Sequence, residues 1–174
     1  MENIYSEIKV VSIPGFKIAK YIVISKEPEH DSNVYIDVWA EKSGLNKISG
    51  YKKRKIGWDF PVTKEQGETF GLHGYVSAYI IPDDFEPTTG GAEIAYIAED
   101  SYATLTITDP FSAPWKNIPT GYDKLLNYSA NKTLEWKNRV FDSWDNRIAF
   151  EETYEKDGVT YMDIFIPIAD KVAR

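Results

Sequence analysis

Laid against itself at an offset of 86 positions, the chain of 174 residues falls into register from end to end without a gap. Glu7-Ile8 lands on Glu93-Ile94, Pro28 on Pro114, Asp37 on Asp123, Trp58-Asp59 on Trp144-Asp145, Tyr75 on Tyr161 and Ile80 on Ile166. Identity between the halves is low, so the repeat rests on the duplicated Trp-Asp pair and on the matching order of segment types. Such a period marks one supersecondary unit built twice. It predicts a single domain over residues 1–174, with repeat 1 at about residues 2–88 and repeat 2 at about residues 89–174. Two like units imply a pseudo-twofold axis and a seam between equivalent faces, the kind of place where small-molecule pockets form.

The segments within each half define the unit. Residues 7–11, a Pro14-Gly15 turn and residues 16–25 read as a hairpin or a long bent strand. Residues 34–41 follow with a rough helical stripe of Val34, Val38 and Leu45, Trp39 beside them, ending at Gly44. Residues 56–62 and 73–81 then read as strands. The second half repeats the order with strands at 93–98 and 102–108, a helix at about 122–130, and strands at 148–155 and 159–166. The expected fold class is α+β: tandem duplicated strand-helix-strand-strand units, helices on one sheet face, and a central ligand groove.

Strand alternation nominates the residues of that groove. Over 73–81, Val76, Ala78 and Ile80 suit a helix, which leaves His73, Tyr75, Ser77 and Tyr79 on the other side. The repeat-mate divides Met162, Ile164 and Ile166 from Tyr161, Asp163 and Phe165. A two-residue turn at Asp157-Gly158 sets Tyr154 opposite Tyr161, Glu152 opposite Asp163 and Phe150 opposite Phe165, bringing Glu152 onto the aromatic face. A three-residue loop would slip the register by one and bring Glu151 instead. Of the five tryptophans, Trp58 and Trp144 read as one structural role played twice. Trp39 and Trp115 have no tryptophan at their mates and are candidates for ligand contact.

Composition narrows the partners. A net charge of −7 repels nucleic acid and disfavours direct binding to it. No cysteine is present, which removes disulfide and zinc-thiolate chemistry and fits a reducing, cytoplasmic setting. No signal-like start and no apolar run long enough to span a bilayer is seen, so no membrane association is expected. His30 and His73 lack metal-ligand spacing, so neither metal nor cofactor is implied. His73 reads as an acid or base, or as a sheet-edge histidine, and Lys52 to Lys55 as a solvated basic loop.

Residues 150–154, Phe-Glu-Glu-Thr-Tyr, and 161–168, Tyr-Met-Asp-Ile-Phe-Ile-Pro-Ile, resemble the Glu-x-Tyr strand and closing Ile-Pro-Ile strand of the GyrI-like small-molecule-binding family. These are the effector-binding domains of bacterial multidrug-responsive regulators. Residues 57–61 and 71–75 resemble the matching part of the first repeat. The resemblance implies a groove whose glutamate, Glu152 by motif position with Tyr154 beside it, meets cationic or lipophilic planar drug-like molecules. Nothing before Glu7 reads as a DNA-binding module, so a stand-alone cytosolic member related to regulators is expected. The alternative implied is a detoxifying hydrolase that opens the cyclopropane of DNA-alkylating compounds, with Glu152 and Tyr154, Asp163 or His73 as acid and base. A third reading has the groove holding a polypeptide partner.

Overall fold

A computed structural model describes residues 3–129 and 148–168 of the chain. Runs rich in β-branched and aromatic residues form the strands β1 (Lys9–Ile13), β2 (Phe16–Ser25), β3 (Lys55–Phe60), β4 (His73–Ile81), β5 (Glu93–Ile97), β6 (Asp100–Thr108), β7 (Phe150–Lys156) and β8 (Val159–Pro167). The helices are α1 (Pro28–Lys42) and α2 (Pro114–Ser129). Pro28 opens α1 at its first turn, where a missing N–H costs nothing, and Gly44, at φ 88°, takes the left-handed turn just beyond its end. α2 starts two turns earlier than expected, and Pro119 and Gly121 lie inside the helix. The glycine has a packing reason: a Cβ on it would sit 2.8 Å from Ile107 Cδ1 and 3.1 Å from Ile164 Cδ1.

The protein is α+β and divides into two compact units, a first formed by Phe16–Ile97 and a second formed by Met1–Gly15 with Ala98–Arg174. The first unit is a sheet in the order β5-β2-β4-β3, the second a sheet in the order β1-β6-β8-β7, with antiparallel pairs throughout. Each has one long helix against one face. Of the two readings of 7–11 and 16–25, the hairpin does not form, and the extended chain is interrupted only at Pro14-Gly15. β1 pairs with β6, Lys9 opposite Thr104, while β2 receives β5, Phe16 opposite Ile97. Pro14, without an N–H, interrupts the extended chain between β1 and β2.

The repeat holds for α1 and α2 and for β4 and β8, whose first residues keep the 86-residue offset. It fails at β7, which begins at Phe150 where the offset from Lys55 would give residue 141. The pairing expected of Trp58 with Trp144 lies outside the described residues, because Trp144 does.

A finer slip matters more. Ala19 on β2 faces Tyr79 on β4, whereas Leu105 on β6 faces Ile164 on β8. Ala19 and Leu105 are 86 apart, but their partners are 85 apart. A one-residue slip moves every side chain of a strand to the other face. In the second unit α2 therefore packs on the expected residues, with Leu125 against Leu105, Ile107, Met162, Ile164 and Ile166. In the first unit α1 buries Ile36, Trp39 and Ala40 against Ala19, Tyr79 and Ile81, so the expected helix face of Val76, Ala78 and Ile80 is the opposite one. Val34 and Val38, expected in the buried stripe, are exposed. Among the described residues no helix is long and apolar enough to cross a membrane.

Candidate functional site

The β7–β8 hairpin sets the site. Asp157 at φ 53° and Gly158 at φ 76° both adopt the left-handed conformation that a two-residue turn with right-handed strand twist requires. The ladder runs Tyr154 opposite Tyr161, Glu152 opposite Asp163 and Phe150 opposite Phe165. Glu151 goes to the helix side, where its carboxylate accepts the Tyr122 hydroxyl of α2 at 3.0 Å. Glu152 is thus on the sheet face turned away from α2, and only 9% of it is exposed.

That face is an aromatic slab with two acids set into it. Phe150 and Phe165 stack with centroids 4.7 Å apart, and Tyr102 of β6 meets them edge-on at 5.4 and 6.2 Å. Tyr154 and Tyr161 stack at 5.6 Å on the far side of the Glu152–Asp163 pair. The Asp163 carboxylate accepts the Thr106 hydroxyl at 2.5 Å and the Tyr154 hydroxyl at 3.3 Å, both on Oδ1. Burial, then the Asp163 charge, raises the Tyr154 phenol above its usual range, so it remains a proton donor at neutral pH. Exposure rises along the slab from fully buried Tyr102 to Tyr154 at 39%. The arrangement can hold an apolar body against aromatic rings and a positive charge against carboxylate.

The structure brings together Glu152, Tyr154, Tyr161, Asp163 and Phe165 and adds Phe150, Tyr102 and Thr106. The signal for the last two was the alternation 102, 104, 106 along β6, legible only once β6 was known to lie beside β8. Five nominated residues are placed elsewhere. Tyr79 lies under α1, donates to Asp37 at 2.6 Å and has the ammonium groups of Lys53 and Lys55 within 5.7 and 5.3 Å of its ring. The supposedly solvated Lys55 also pairs with Asp37 at 2.8 Å. Trp39 is core, 2% exposed, edge-on to Phe85 and donating to the Thr89 carbonyl. Trp115 is 80% exposed on α2, the helix that covers the other side of the sheet from Glu152. Tyr75 follows Tyr79 onto the α1 side of β4 because two-residue alternation keeps them together. Tyr75 and His73 instead line a cavity of about 460 Å³ within the first unit, beside the start of α1.

No family model matches the chain. A relative from Methanocaldococcus jannaschii, MJ1128, is 27% identical over 118 residues, or 67% of this chain; the match spans about a third of that relative's length, 36%. The C-terminal domain of EcmrR superposes with a TM-score of 0.62 at 12% identity, covering 95% of this chain and 98% of that one. The chain has the GyrI-like fold. SAV2435, solved bound to tetraphenylphosphonium, shares the GyrI-like fold at a TM-score of 0.52 and 11% identity over 94% of each chain. A hydrolase from Listeria innocua does so at 0.54 and 7%, covering 93% of this chain and 91% of that one. At these identities the likeness is one of fold.

Proposed function

We propose that the protein is a cytoplasmic small-molecule-binding protein of the GyrI-like kind, taking cationic, lipophilic, drug-like molecules on the Glu152 face of the second unit. The observation that carries this reading is a glutamate with little exposure set among aromatic rings, opposite a second acid. Covering roughly 200 Å² of ligand apolar surface at about 25 cal/mol/Å² supplies on the order of 5 kcal/mol before association costs. The carboxylates and the faces of Tyr154 and Tyr161 add selectivity for positive charge. That neighbours of the same fold include a tetraphenylphosphonium complex supports the ligand class.

Glu152→Gln keeps shape and removes charge. Affinity for tetraphenylphosphonium, measured by calorimetry, is expected to fall by roughly 1.5–3 kcal/mol, the worth of a hydrogen bond to a charged group, while neutral triphenylphosphine oxide binds as before. Equal losses for both probes, or none for the cation, would sink the reading.

One observation favours a catalytic alternative: Glu152 and Asp163 face each other directly and the Tyr154 phenol reaches Asp163. A carboxylate there could take a proton from water as its oxygen attacks a strained cyclopropane carbon. The ring bond's electrons would pass into the conjugated dienone, whose oxygen takes a proton from the acid. Multiple turnovers of a cyclopropanoid alkylator to ring-opened product would establish this, and stoichiometric recovery of intact ligand would exclude it.

A further inference from the structure

The cavity in the first unit is not used by the function proposed for the second. Its volume of about 460 Å³ falls within the range of small-molecule sites. Lys26, Glu29 and His30 come from the junction of β2 and α1, Asp59 from β3, and His73 and Tyr75 from β4. The β3–β4 register sets Asp59 directly opposite Tyr75, and alternation places His73 on the same face. Tyr75 passes over Gly57, where an added Cβ would lie 2.2 Å from the tyrosine hydroxyl, so a side chain at 57 would displace this wall.

The charge of the lining selects its ligand. Among the described residues around the cavity Glu27, Glu29 and Asp59 are acidic, and Lys26 is the permanent cation. Neither the Glu29 nor the Asp59 carboxylate makes a hydrogen bond or ion pair among the described residues. Both side chains stand at the exposed rim of the cavity; the partial burial they have there raises both above the ordinary carboxylate range, the Asp59 charge raises Glu29 further, and His73 offsets part of the rise at Asp59. The positive end of α1 already has Glu29 and Asp31 in its first turn, so an entering anion would meet acids rather than free dipole. A cation with N–H donors would relieve the repulsion between Glu29 and Asp59 and form charge-assisted hydrogen bonds.

We propose that this cavity is a second binding site, taking small organic cations with N–H donors, an ammonium or guanidinium group on an aliphatic body, held by Glu29 and Asp59 and packed along Tyr75. The site lies within the first unit and does not depend on the reading of the Glu152 face.

His30 and His73 are the two histidines of the chain and both line the cavity, so their ring signals report it directly. Titrating agmatine into protein with isotope-labelled histidine is expected to shift both signals saturably. Glu29→Gln and Asp59→Asn should each weaken the response roughly tenfold or more, the scale of a lost charged hydrogen bond. The double variant should abolish it while binding tetraphenylphosphonium as the wild type does. If the double variant fails to fold, Glu29→Gln alone carries the comparison. Absence of a saturable shift, a shift unchanged in the folded variants, or an equal shift from neutral butylurea overturns the proposal.

Discussion

The two units share a strand order and carry their helices at matching points in the chain, yet they place opposite kinds of side chain beneath those helices. In the second, α2 lies on aliphatic Ile107, Ile164 and Ile166. In the first, α1 lies on Ser77 and Tyr79 and supplies their partners, Ser32 at 2.7 Å and Asp37 at 2.6 Å. Polar groups can go under a helix provided the helix satisfies them. The consequence appears on the faces away from the helices. The second unit has aromatic rings and two acids to present there, whereas the first has Ile18, Ile56, Val76 and Ala78 with Trp58 and no acid between them. Two like sheets thus differ, among the described residues, in which side carries aromatic rings together with acids: the side away from the helix in the second unit, the helix side in the first.

The largest expected effect separates Phe165 from Tyr79, its mate by the offset. Phe165→Ala removes a ring stacked on Phe150 and should cost about 3–5 kcal/mol in denaturant unfolding as well as weakening tetraphenylphosphonium. Tyr79→Ala should also destabilise, but leave the folded protein's affinity for that probe unchanged. Equal weakening by both would break the comparison.

A smaller effect tests how closely α2 approaches its sheet. Gly121→Val drives a side chain into Ile107 and Ile164 and should destabilise by roughly 1–3 kcal/mol through overpacking. An unfolding midpoint unchanged from wild type would show that the helix stands farther off.

The smallest effect is read at alkaline pH. Burial pushes the Tyr51 phenol up to about 12 while its hydroxyl donates to the Ile80 carbonyl at 2.6 Å. Its folded pKa exceeds the unfolded value of about 10. The stability it contributes is whole below pH about 10 and is lost as pH rises to about 12. Tyr51→Phe should flatten part of that decline, followed by unfolding at successive pH values. Tyr154 is raised too but exposed where Tyr51 is half-buried, so Tyr154→Phe should alter the decline less; an equal flattening would blur the distinction between the units.

The hairpin of the candidate site was legible because its causes are local. Asp157-Gly158 suits a turn that needs two left-handed residues, and the turn sets which of Glu151 and Glu152 shares a face with Tyr154 and Phe150. Trp39 and Tyr79 were misplaced for a different reason. Both are large amphipathic groups that suit a ligand wall or a helix-covered core equally well, and only Asp37, Phe85 and the Thr89 carbonyl show which role they took. The cavity around Asp59 and His73 had no local signal, because its walls come from segments that are far apart in the chain.

By itself the sequence determined the number and order of the elements, the duplication behind them and the β7–β8 pairing, since periodicity and turn chemistry act between near neighbours. Tertiary structure alone decided that β1 joins β6 and β5 joins β2, and which face of β4 lies under α1. Those outcomes depend on register between distant strands, where a slip of one residue leaves the alternating pattern intact and exchanges inside for outside.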